Sequence, residues 1–240
     1  MSDGSVIIDT SLDNSGLNKD VSKVKGILGK IGSVAGTAMK GIATATGIAA
    51  TAVGSLVTAS VNAYAEYEQL VGGVDTLFKD SSKKLQAYAD EAYKTAGLSA
   101  NEYMSTVTSF SASLLQSLGG DTSKAADYAN QALIDMSDNA NKMGTDMESI
   151  QWAYQGFAKQ NYTMLDNLKL GYGGTKEEME RLLADAQKLT GIKYDISSFA
   201  DVTQAIHAIQ TELGITGTTA KEASTTIQGS LNSVKGAWEN

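Results

Sequence analysis

The residue types that could do chemistry in this chain fall in a few places. Gly171-Tyr172-Gly173-Gly174-Thr175-Lys176 gathers glycines, a hydroxyl and a lysine, the ingredients of a phosphate-cradling loop. Such a loop needs GxxxxGK[ST] after a strand, so that backbone amides and the lysine surround the phosphates. Here the lysine follows Thr175, no second hydroxyl follows the lysine, and the preceding segment reads as helical. A helix–helix connection is the expectation. The run DMSDNANKMGTD at 135–146 has carboxylates and a glycine. It lacks the EF-hand spacing and the closing glutamate, and it reads as a solvated helix face. His207 lies between Ile206 and Ile209 on a helical stripe, with no carboxylate obviously spaced to orient it, and reads as a packed or surface histidine. Glu177, Glu178 and Glu180 fall in the first turn of a helix, where carboxylates favour the positive end of the dipole. No serine sits in a GxSxG elbow. The sequence therefore predicts no catalytic residue, no cofactor-binding residue and no metal ligand set: the chain reads as no enzyme.

Composition points the same way. The chain has 240 residues, 42% of them apolar and 19% charged, with 24 Gly, no Pro and no Cys. Without Cys there is neither a disulfide framework nor a thiolate metal site. A single histidine excludes multi-histidine zinc or di-iron chemistry. Proline ordinarily makes up about 5% of a sequence, and its absence leaves helices uninterrupted. The net charge is −8, and Arg181 is the only arginine. Readers of specific nucleic-acid sequences carry basic patches with arginine forks, so no sequence-specific nucleic-acid partner is expected. The acidic, polar opening Met1-Ser2-Asp3-Gly4 is not a signal-peptide n-region.

Charge is unevenly spread. Residues 1–65 hold five lysines and four aspartates, a net of +1, which leaves −9 for residues 66–240. Between Gly41 and Ala65 the run GIATATGIAATAVGSLVTASVNAYA carries no charged residue. It is long enough to cross a bilayer at about 20 residues. Its larger aliphatics are only Ile42, Ile48, Val53, Leu56, Val57 and Val61, the rest being mostly Ala, Gly, Thr and Ser. Gly32 and Gly36 form a GxxxG, and such small-residue faces let helices approach closely in membranes or in water. Helix packing against copies of itself or a tube wall, and insertion of residues 27–65 into a membrane, are both open readings. Upstream, Val6, Ile7 and Ile8 mark a short strand at residues 5–9, followed by an amphipathic helix with Leu17, Val21, Val24, Ile27, Leu28 and Ile31 on one stripe.

From residue 66 onward the pattern is a succession of capped helices. Asp80, Ser81 and Ser82 precede a stripe of Leu85, Tyr88, Ala89, Ala92, Tyr93 and Ala96, closed by Gly97. Ser99 with Glu102 predicts a capping box for a helix carrying Tyr103, Met104, Val107, Phe110 and Leu114, stopped by Gly119-Gly120. Asp121 or Thr122 opens a helix with Ala126, Ala129, Leu133, Met136, Ala140 and Met143 inward. Thr145 with Glu148 and Thr175 with Glu178 predict two further boxes, and Ser198 with Asp201 another cap. A last helical stripe, Ala223, Ile227, Leu231, Val234 and Trp238, is still running at Asn240, as in a cut chain. The expected fold is all-α: a short N-terminal strand with a long amphipathic and small-residue helix over 1–65, a multi-helix domain over 66–214, and the start of a further helix over 215–240.

Several stretches together resemble the N-terminal region of tail tape-measure proteins from phages and prophages of Gram-positive bacteria. They are VIIDTSLDNSGL, YAEYEQLVGGVDTLF, AYKTAGLSANEYMSTVTSFSASLLQSLGGD, the run from Asp135 to Leu183 (DMSDNANKMGTDMESIQWAYQGFAKQNYTMLDNLKLGYGGTKEEMERLL), and LGITGTTAKEASTTIQGS. The likeness extends from about residue 5 to 240, and the Asp135–Leu183 run is its most specific part. The resemblance implies a virion structural protein on which tail-tube subunits polymerise. It would determine tail length, lie in the tail lumen and leave ahead of the DNA at ejection. Implied partners are tail tube and tail tip or baseplate proteins and tail assembly chaperones, with self-association. Assembly would take place in the host cytoplasm, with host-membrane contact during ejection. A fully helical chain of this length would reach about 360 Å at 1.5 Å per residue, short for a ruler, so a front portion of a longer protein is the expectation. No catalytic residue is implied by the resemblance.

Overall fold

The structure is a computed structural model and describes residues 65–225, which are all-helical, with no strand among them. The expected strand at 5–9, and the packing or membrane residues Gly32, Gly36, Ile42, Ile48, Val53, Leu56, Val57 and Val61, lie outside the described residues.

A helix over 65–78 (α1) turns Val74 and Phe78 inward. A 3-10 turn, Lys79–Ser81, leads into α2, Ser82–Thr95. Then come α3, Ala100–Ser117, α4, Thr122–Met143, and α5, Met147–Phe157. A second 3-10 turn, Leu165–Leu168, precedes α6, Lys176–Thr190. The last elements are α7, Phe199–Glu212, and α8, Thr218–Thr225.

Most starts follow from local chemistry. The Ser99 side chain accepts the Glu102 amide, and the Glu102 carboxylate accepts the Ser99 amide at 3.0 Å, so the predicted box forms in full. Asp121 caps α4 through the Lys124 amide, Thr175 caps α6 and Ser198 caps α7. Two starts differ from expectation. Ser81 makes no cap; its hydroxyl bonds Thr122 across to α4 at 2.9 Å, and the 3-10 turn feeds α2 instead. The box at Thr145 and Glu148 is replaced by a cap one residue later, where Asp146 accepts the Ser149 amide at 3.1 Å. The Thr145 hydroxyl is turned instead toward the Asn167 carbonyl, to which it donates at 3.1 Å. Left-handed glycines close α4 and α6, at Gly144 (φ 63°) and Gly191 (φ 74°), where an L side chain would crowd the backbone.

The core runs through α1 to α7. Its largest buried side chains include Tyr103, Met104, Leu114, Leu133, Met136 and Tyr154. Phe110 meets Phe199 edge to face at 5.9 Å between ring centres, joining α3 to α7. α4 is the central element: it packs against α2, α3, α5, α7, α8 and both 3-10 turns. Its N-terminal half presents Ala125, Ala126, Ala129 and Ala132, all buried, and small side chains of this kind allow close helix approach. Residues 215–225, set apart from the domain in the sequence reading, add the buried Ile215 to the same core and lie against α4.

Candidate functional site

Over residues 135–139, in its C-terminal half, α4 is enclosed, and here sit the first polar residues of the 135–146 run, while Asn141 and Lys142 near its end are exposed. At about 100° per residue, positions 135, 138 and 139 share one side of a helix and position 137 points to the opposite one. On a solvated helix some of these would face water. Here Asp135, Ser137, Asp138 and Asn139 are all buried, the last two completely. The expectation of a solvated face is therefore corrected for residues 135–139: they lie inside the molecule and their side chains hydrogen-bond mostly to other elements, with the buried Asn139 Oδ1 left without a partner among the described residues. Burying such groups is tolerable only when hydrogen bonds replace those lost to water.

Each residue ties a different part of the chain. Asp135 accepts from His207 Nδ1 on α7, at 2.9 and 3.1 Å to its two oxygens, and from Gln131 Nε2 at 3.2 Å. The Ser137 hydroxyl donates to the Ala96 carbonyl at the end of α2, at 2.7 Å. Asp138 takes the Gly217 amide at 2.6 Å on one oxygen and the Thr219 amide at 2.8 Å on the other. It thus serves α8 as an N-terminal cap supplied from another helix. Asn139 Nδ2 donates to the Leu168 carbonyl in the second 3-10 turn, at 2.9 Å.

The His207 reading needs a second correction, because a carboxylate does face it. The partner lies 72 residues earlier in sequence, on a different helix. The hydrogen bond to Asp135 raises the imidazole above its ordinary value, against the opposing effect of burial. Burial pushes the Asp135 carboxyl up, and His207 pulls it back only in part. Chemically, a carboxylate on Nδ1 orients an imidazole, as a general base requires. A base needs a nucleophile or substrate beside it. Among the described residues His207 makes no side-chain hydrogen bond other than the one to Asp135. Two clefts, of about 620 and 330 Å³, are lined elsewhere, the first by residues such as Leu183, Gln187 and Tyr194 and the second by residues such as Gln116, Phe157 and Phe199. The pair joins α4 to α7.

The glycine loop is likewise spoken for. The Gly173 amide donates to Glu178 at 2.9 Å, and Arg181 donates to the Gly171 carbonyl at 2.7 Å and to Glu178 at 2.6 Å. Arg181 and the Gly173 amide hold the Glu178 carboxyl down to about 2. The Arg181 guanidinium lies 4.2 Å from the Tyr172 ring centre. Burial, followed by the bond to Asp185, pushes the Tyr172 phenol up to about 12. Lys176 faces Glu180 at 3.6 Å. An anion at this loop would meet the Glu178 carboxylate where it needs free amides, and the loop acts as the expected connection into α6. Glu177, Glu178 and Glu180 occupy the first turns of α6, Glu177 and Glu180 exposed and Glu178 half-buried.

Sequence reasoning missed the whole clasp on α4. The available signal was the density of Asp, Ser and Asn at 135–139 beside core residues Leu133 and Met136. Among the described residues no group of three or more His, Asp or Glu side chains is arranged to hold a metal ion. Among them, too, no helix is long and apolar enough to cross a membrane. No protein-family model, curated protein or solved structure matches the chain.

Proposed function

We propose that this chain is part of a phage or prophage tail tape-measure protein, with a structural and non-catalytic role in tail assembly and tail-length determination. The observation that carries this reading is the resemblance over Asp135 to Leu183. The all-helical fold agrees with it, as does the way the polar residues of that run are used. Asp135, Ser137, Asp138, Asn139, Asp146 and Arg181 all lie in the run and all hold the chain to itself. A run whose side chains are engaged in internal ties suits a structural element better than a site open to substrate. On this reading the protein works in the virion, in the tail lumen, after assembly in the host cytoplasm. Its partners are tube subunits, tip or baseplate proteins, assembly chaperones and further copies of itself. The acidic balance of residues 66–240 suits a chain that must leave the tube ahead of the DNA.

Mass spectrometry of purified tails tests the placement. Peptides of this chain are expected in intact tails and depleted in tails that have ejected their DNA. Their absence from intact tails contradicts the reading. The uncharged run from Gly41 to Ala65 supports a second role, insertion of residues 27–65 into the host membrane during ejection. The full chain should then float with liposomes in a manner that depends on this run, and failure to float on either anionic or neutral lipid contradicts it.

A further inference from the structure

Three fully buried side chains carry polar atoms that nothing among the described residues meets. They are Asn139 Oδ1 on α4, the Tyr154 hydroxyl on α5, and both Nε2 and Oε1 of Gln210 on α7. Turning the side-chain amides over does not help. Asn139 Nδ2 already donates to the Leu168 carbonyl, so the turned amide would set oxygen against oxygen. At Gln210 both ends lack a partner among the described residues, and exchanging them changes nothing. Groups this deep in a folded protein are almost always hydrogen-bonded, to the protein or to enclosed water.

The helices bring the three to one layer of the core. Asp135 on α4 meets His207 on α7, and further along, Asp138 reaches Gly217 and Thr219, beyond the end of α7. α4 and α7 therefore run side by side in the same direction. Asn139 lies one turn beyond Asp135 and Gln210 one turn beyond His207, so the two amides sit at the same level on neighbouring helices. Tyr154 enters from α5, close enough to Asp135 for that carboxylate to add to burial in raising its phenol.

We propose that this layer is an internal hydration site: buried water bridges Asn139 Oδ1, the Tyr154 hydroxyl and the Gln210 amide, and ties α4, α5 and α7 together. The atoms to be matched are mixed in kind. Oδ1 and Oε1 need donors, Nε2 needs an acceptor, and the hydroxyl serves as either. Water offers both, typically through about three hydrogen bonds at a buried site. A cation would serve the oxygens and leave Nε2 unmatched. An anion would stand near the buried Asp135 carboxylate.

The full chain tests this in two ways. In rotating-frame Overhauser spectra the Gln210 side-chain amide protons should show cross-peaks to water of dipolar rather than exchange sign. The cross-peaks should persist in Tyr154→Phe, where that hydroxyl can no longer relay them. Tyr154→Phe removes a hydrogen bond to enclosed water, so it should raise the unfolding equilibrium constant about fivefold. A dry layer predicts the reverse, because phenylalanine relieves a stranded hydroxyl. Absence of the dipolar cross-peak from either protein, or an unfolding constant unchanged or lowered in Tyr154→Phe, overturns the proposal. Should the variant fail to fold, the wild-type cross-peak decides alone.

Discussion

Asp135 and His207 place a carboxylate and an imidazole together, one fully enclosed and the other about 30% exposed. Both are shifted upward, so the folded state holds its protons longer than the unfolded chain does. For His207 the stabilisation is fully present below 6.5, its ordinary value, and is lost as pH rises through the raised folded value. Exposed carboxylates act on the opposite limb. Glu178, Asp127 and Asp185 are lowered by cationic neighbours, and what they contribute disappears as pH falls through their folded values. Thermal unfolding across pH should give a dome. His207→Gln should flatten only its alkaline side and cost about 2 kcal/mol near neutrality; an unchanged alkaline limb contradicts the ion-pair account. The sequence could not show this pair, because its members lie on different helices and only the packing of α7 on α4 brings them together. The same holds for Asp138, whose partners are backbone amides near residue 218, and backbone amides leave no mark on sequence pattern. Ser99 and Glu102 were legible for the opposite reason: the whole interaction lies within four residues.

At the scale of elements, helical periodicity and caps located α2 to α7 well, since an apolar stripe and a hydroxyl or carboxylate at the N-terminus are local signals. The Thr145 start shows where local rules run out. Thr145–Glu148 and Asp146–Ser149 both fit an N-cap register, and the helix uses the second, with the Thr145 hydroxyl turned toward the Asn167 carbonyl. Asp146→Ala should therefore cost about 1 kcal/mol in urea unfolding at constant m-value, and no loss would mean that Asp146 is not the cap. The loop before α6 offers a sharper contrast. A Cβ on Gly174 would stand 2.2 Å from the Thr163 carbonyl oxygen, whereas one on Gly173 meets only the flexible Glu178 side chain, at 3.5 Å. Backbone cannot yield as a side-chain end can. Gly174→Ala should cost about 2 kcal/mol or more, against roughly 0.5 kcal/mol or less for Gly173→Ala. Equal effects would contradict the packing of this loop.

At the scale of the molecule, one helix organises the described domain. α4 collects its neighbours by alanine packing in its first half and by buried polar ties in its second. The all-helical class was readable from the sequence because a proline-free chain with repeated caps has few other solutions. The centrality of α4 was not, since composition made residues 135–139 look solvated when neighbours in fact enclose them. The functional reading rests on the tape-measure resemblance, and the fold gives it a mechanical content: a helical unit closed on itself by polar clasps. The most direct test is tail length. In-frame deletions and duplications in the intact gene, scored by electron microscopy of the resulting particles, should shorten and lengthen tails in proportion to the residues removed or added. Tails of unchanged length across such a series would contradict a length-determining role for this protein.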